Sequence, residues 1–167
     1  MKNSARKLAL LSVTLALSMI LSYVESFVPT ILPGVKLGLA NALTLFLIYS
    51  VDVYSALAVS CVRIFLSTLL FGSFPIGLVY SFFGFVLSYI TMLIMKKFTP
   101  FGMVGVSTLG AIMHNLGQTL AACLIMQTSE LIVYFLPLLL SGTIAGTLVG
   151  ILSAILTKKL DGKLFRK

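Results

Sequence analysis

The chain has 167 residues, 59% of them apolar and only 10% charged, with twelve Lys and Arg against four Asp and Glu and a formal charge of +8. A mean hydropathy of +1.14 lies far outside the range of a water-soluble domain, so an integral membrane protein is expected. At about 20 apolar residues per span of ~30 Å of hydrocarbon, the length holds about five to seven spans in one transmembrane domain, 1–167, and leaves no room for a separate soluble one.

The first apolar run is Leu8–Val24, preceded by Lys2, Arg6 and Lys7. A cleaved signal peptide fits it poorly, because the run is long for an h-region, no small-x-small cleavage site follows, and the next segment is again apolar. Ala5, Ala9, Ser12 and Ala16 form a small-residue stripe along it, at spacings of four, three and four. Close packing inside the protein and docking of another membrane helix are both open readings of that stripe. The second run, Leu37–Tyr49, is short and predicts a helix that is tilted or lined by protein. The third, Val53–Phe71, carries Arg63 near its middle, where a charged side chain costs at least ~2.5–3.5 kcal/mol and is kept for something in a cavity. Pro75–Met95 and Met103–Met126 follow, the latter with His114, Asn115 and Gln118. The last run, Leu131–Thr157, contains Pro137, which fits the first turn of a helix from Pro137 to Thr157, with Ser129–Leu136 as an interfacial lead-in. Six helices are expected.

Orientation follows from the basic residues. Lys2, Arg6 and Lys7, then Lys96 and Lys97, then Lys158, Lys159, Lys163, Arg166 and Lys167 fall on one side of a six-helix protein, which places ten of the twelve Lys and Arg, and both termini, in the cytoplasm. The charge excess is thus a topology signal with anionic-lipid contact, and nucleic-acid binding is not needed to explain it. A multi-pass protein of the cytoplasmic membrane is the expectation. Cys61 and Cys123 sit inside apolar runs without metal-like or paired spacing, so neither carries a redox or metal signal. Gly142, Gly146 and Gly150 make two overlapping G-x-x-x-G steps and Gly34/Gly38 another, read as close helix packing within the protein rather than a dimer face.

In this topology Glu25, Lys36, Asn41, Arg63, His114, Asn115 and Gln118 gather in the outer half of the membrane. His114 and Gln118 are four apart and share a helix face, with Asn115 three before Gln118. Two readings stand. The groups satisfy one another, Glu25 pairing with Lys36 or Arg63 and the amides bonding between helices, or they line an outward-facing polar pocket. In the second reading the basic residues outnumber Glu25 and the pocket suits a ligand with an anionic or strongly polar part, phosphate for instance.

No G-x-x-x-x-G-K-[ST] loop is present, so ATP-driven transport would need partner ATPases. The acidic residues Glu25, Asp52, Glu130 and Asp161 form no aspartate cluster to hold Mg²⁺ on a diphosphate, and no catalytic residue, metal or cofactor is expected.

Val24-Glu25-Ser26 with Pro33-Gly34-Val35-Lys36-Leu37-Gly38-Leu39-Ala40-Asn41, and Gly110-Ala111-Ile112-Met113-His114-Asn115-Leu116-Gly117-Gln118, are similar to the motifs of the Gx transporter family, also labelled heptaprenyl diphosphate synthase component I. That family in turn resembles the substrate-binding S components of energy-coupling-factor (ECF) transporters. The resemblance implies a six-helix bundle with cytoplasmic termini, a vitamin-like or cofactor-precursor ligand, such as a flavin or an isoprenoid or quinone precursor, held near the outer side, and docking through the Ala5-x-x-x-Ala9 step onto a transmembrane coupling subunit with two ATPase subunits. An accessory component of a prenyl diphosphate synthase and a solitary secondary transporter are the alternatives. The latter would need a coupling-ion site and usually internal repeats, of which the two halves show no convincing sign.

Overall fold

A computed structural model describes the backbone of residues 2–27, 38–71 and 74–164, and the side chains of 4–27, 38–71 and 74–159. The described residues form six helices, α1 (Lys2–Ser26), α2 (Asn41–Ser50), α3 (Val53–Leu70), α4 (Ile76–Phe98), α5 (Met103–Met126) and α6 (Phe135–Leu164), with a 3-10 turn at Glu130–Tyr134 before α6. No strand occurs among them. Five helices are long and apolar enough to cross a membrane, and α2 is a shorter apolar one. The exposed large side chains, such as Leu8, Val13, Phe65, Phe82, Ile94, Leu124, Ile144 and Leu148, are apolar on every long helix except for the basic ends, as a lipid-facing surface requires. The chain is therefore an all-α, multi-pass membrane protein.

The second apolar run begins as a helix at Asn41 rather than Leu37, because the chain first turns at Gly38. That glycine has φ +84, a left-handed conformation that a side chain would strain, and a Cβ there would also meet the ring of His114 at 3.1 Å. What remains of α2 is ten residues, about 15 Å, or half of the hydrocarbon thickness. All of its residues except Tyr49 are buried, as expected of a helix that is apolar all round. Leu45, Phe46, Leu47 and Ile48 of α2 join Ala56 and Ile64 of α3, Phe85, Tyr89 and Met92 of α4 and Val106 of α5 in the main apolar core.

The start of α1 and the last turns of α6 lie at one end of the bundle. Lys7 of α1 pairs with Asp52, the N-cap of α3, at 2.7 Å, and Ser50 donates to Thr157 of α6 at 3.3 Å. Lys96 donates to the Ile48 carbonyl at 2.6 Å and covers the Tyr49 ring at 4.6 Å, so the basic clusters of α1, α4 and α6 share this end.

Glycines set the packing of α4, α5 and α6. A Cβ at Gly117 would come within 2.7 Å of the Phe83 carbonyl and 2.9 Å of Gly84 Cα, while one at Gly146 or Gly150 would reach Cα atoms of α5 within 2.8 Å. The G-x-x-x-G steps of α6 thus face α5 inside the protein, as the sequence suggests. Most of the expected lead-in, Ser129–Leu136, is the 3-10 turn at Glu130–Tyr134, and α6 begins at Phe135, two residues before Pro137, which occupies the first turn.

α1 is held differently. Its buried residues are Thr14, Ser18, Ser22 and Glu25, all polar and all on one face. Thr14 and Ser18 donate back to their own helix, to the Leu10 and Leu15 carbonyls, leaving a smooth face toward α2 and α3.

Candidate functional site: a polar cleft at the start of the half-length helix

Above the apolar core, where α2 begins, a cleft is lined by Ser22 and Glu25 of α1, Gly38, Arg63, Ile64 and Ser67 of α3, Ser81 of α4 and His114 of α5. The short α2 creates it: a helix that starts halfway through the membrane leaves polar backbone at that depth, tolerated only where protein groups satisfy it. Glu25 does so. Its Oε1 accepts from the Gly38 N–H, and from the Leu39 N–H at 3.3 Å, placing a carboxylate at the positive end of α2.

Arg63 is 6% exposed and donates from Nη2 to Asn41 Oδ1 at 3.2 Å. Its Nε has no hydrogen-bond partner among the described residues, and the same holds for Asn41 Nδ2 and for Ser81 Oγ. His114 occupies a slot between two glycines. A Cβ at Gly84 would lie 2.9 Å from the imidazole, as one at Gly38 would lie 3.1 Å from it. Gln118, one turn along, lies against the same Gly84, with Cγ 2.8 Å from where that Cβ would be.

The residues named from the sequence thus separate. Glu25, Arg63 and His114 share the cleft wall, Asn41 joins them through Arg63, and Gln118 packs behind His114. Asn115 turns away, donating to the Leu138 carbonyl at 2.6 Å and resting against Gly142 of α6, because adjacent residues on a helix point about 100° apart. Lys36 lies outside the described residues. Ser22, Ser67 and Ser81 line the cleft without having been singled out. Ser22 lies three before Glu25 and Ser67 four after Arg63, a helical spacing that would have found them; Ser81 has no such signal.

The clear volume is about 10 Å³, room for about one water-sized group, whereas vitamin-sized ligands occupy sites of ~300–1,000 Å³. The cleft as it stands is therefore far smaller than a site for a whole vitamin-sized molecule.

The small-residue stripe lies apart from the cleft. Ala5, Ala9, Ser12 and Ala16 are all exposed, and the stripe starts at the basic end of α1.

The family described as heptaprenyl diphosphate synthase component I matches the chain over residues 14–156, most of its length. No curated protein and no solved structure matches it.

Proposed function

The chain belongs to the heptaprenyl diphosphate synthase component I family, and from that premise we propose that it is the substrate-binding membrane subunit of an ECF-type uptake transporter. It sits in the cell membrane, binds a vitamin-like or cofactor-precursor ligand at the cleft, and depends on a transmembrane coupling subunit and two ATPase subunits for energy. The observation that carries this reading is the buried cleft of Glu25, Arg63 and His114 in an otherwise apolar bundle. A buried arginine in a membrane is expensive and marks a substrate pathway by default. The exposure of Ala5, Ala9, Ser12 and Ala16 supports the docking part of the reading, since small exposed residues let a foreign helix approach closely.

The family's description favours a second reading, an accessory component of a prenyl diphosphate synthase. Against catalysis within this chain, Glu25 serves α2 and Asp52 pairs with Lys7 at the opposite end of α1, so these two carboxylates do not converge on a Mg²⁺–diphosphate.

The test of the docking reading is Ala5→Leu together with Ala9→Leu. Bulk on this face separates the two backbones and forfeits many weak contacts at once. The double variant is expected to lose co-purification with the coupling subunit while retaining the unfolding temperature of the wild type. Full co-purification by the variant would remove α1 as the docking helix.

A further inference from the structure

Three buried atoms at this cleft lack a hydrogen-bond partner among the described residues, and each can donate. Arg63 Nε and Asn41 Nδ2 can only donate, and the Ser81 hydroxyl is free to donate. Arg63 and Ser81 are each 6% exposed and Asn41 2%, so water does not reach them freely, and a buried donor left unmade costs more than an average hydrogen bond returns. What is missing is an acceptor. The charges that line the cleft are already balanced, one guanidinium at Arg63 against one carboxylate at Glu25, among the described residues. An incoming anion would therefore meet Glu25 as a like charge with no surplus cation among the described residues to offset it, while a neutral acceptor carries no charge for Glu25 to repel. Size argues the same way. A clear volume of about 10 Å³ takes one oxygen-sized group, which a carbonyl oxygen is and a tetrahedral phosphate is not.

We infer that the cleft recognises a neutral carbonyl oxygen on the ligand, received by Arg63 Nε and the Ser81 hydroxyl, and that a phosphate, if the ligand has one, stays outside the cleft. This rests on the reading of the cleft as the ligand site and narrows the ligand to compounds that present a ring or chain carbonyl. It differs from the anionic preference suggested by a count of basic residues in the sequence, a count that includes Lys36, outside the described residues. Ser81 becomes a binding residue.

Two pairs of compounds that differ only by phosphate test it on the purified wild-type protein: riboflavin and riboflavin phosphate, and pyridoxal and pyridoxal phosphate. In at least one pair the neutral member is expected to bind, and its phosphate ester to gain no affinity. Ser81→Ala is expected to weaken binding of that neutral member about three- to tenfold, the worth of one hydrogen bond. Its unfolding temperature without ligand should be unchanged or higher, because the variant removes a buried hydroxyl that has no partner among the described residues. A purely structural serine would show the reverse, lower stability and unchanged affinity. Tighter binding of the phosphate esters by tenfold or more, binding of none of the four compounds, or unchanged affinity in Ser81→Ala would each overturn the inference. A single bridging water as the natural occupant would give the last of these results. Co-purification with the coupling subunit is measured without any of these compounds, so failure here leaves the transporter reading to stand or fall on the α1 variants.

Discussion

α1 and the α4–α5–α6 sector cross the same membrane and are held in opposite ways. In the sector, backbones meet: glycines at 84, 117, 146 and 150 leave no space for a Cβ, and dispersion contacts between close helices supply the adhesion that lipid does not. On α1 the buried face is Thr14, Ser18, Ser22 and Glu25, and the two hydroxyls nearest the middle bond to their own helix. Polar bonds fasten it at each end instead, Glu25 to the start of α2 and Lys7 to Asp52. The cleft lies where these regimes meet, lined by Glu25 of α1 and Arg63 of α3 together with Ser81 of α4 and His114 of α5.

The largest effect that would break this contrast is expected at Gly117. Gly117→Ala puts a methyl 2.7 Å from the Phe83 carbonyl, a backbone atom that cannot rotate away, and overpacking of this kind costs about 1–3 kcal/mol. Gly102→Ala, where nothing lies within 4 Å, serves as the control and should stay within about 0.5 kcal/mol of wild type. Thermal unfolding in detergent reads both; equal effects of the two substitutions would mean that the α4–α5 contact is not close-packed.

A smaller effect is expected from Ser18→Ala on the α1 face. Among the described residues its hydroxyl bonds only to the Leu15 carbonyl, so its loss should change stability by less than about 0.5 kcal/mol. A loss as large as that of Gly117→Ala would show that the hydroxyl face adheres as strongly as the glycine seam.

The smallest effect concerns the Lys7–Asp52 pair. Hydrogen bonding from Lys7 and then from the Ser55 backbone N–H holds the Asp52 carboxyl well below the ordinary carboxylate range, at about 2. Because the folded state lowers this pKa, the pair stabilises the protein above the ordinary carboxylate value, and the contribution fades as pH falls toward 2. The pair is partly exposed, so the contribution is small. Asp52→Asn should lower the unfolding temperature slightly near neutral pH, and the gap to wild type should narrow as pH drops from about 4 toward 2. A gap that is constant over this range would assign the effect to lost capping of α3 instead.

Most of the fold was legible in the sequence because the membrane imposes a strict length and polarity on each span. The runs at Val53–Phe71 and Met103–Met126 match α3 and α5 to within a residue. The ends of α1 and α6 extend beyond their apolar runs, since basic residues continue a helix into the headgroups without any apolar signal. The late start of α2 was not legible, because it depends on the left-handed turn at Gly38 and on the carboxylate that satisfies the turn. In the cleft, Glu25, Arg63 and His114 announced themselves as costly groups at one depth. The outward turn of Asn115 toward α6 was hidden by its place next to His114, and Ser81 was one serine among several in apolar runs, distinguished only by what surrounds it.

The central claim is that the cleft holds a small molecule through Arg63. The direct measurement is mass spectrometry of whatever co-purifies with the intact protein, wild type beside Arg63→Ala and Arg63→Lys, with thermal unfolding to confirm that each is folded. The account predicts a small molecule with the wild type, lost in Arg63→Ala and not restored in Arg63→Lys, since an ammonium does not reproduce the position of the Nε donor. A folded Arg63→Ala carrying the same molecule at the same occupancy, or a wild type carrying none, would contradict it.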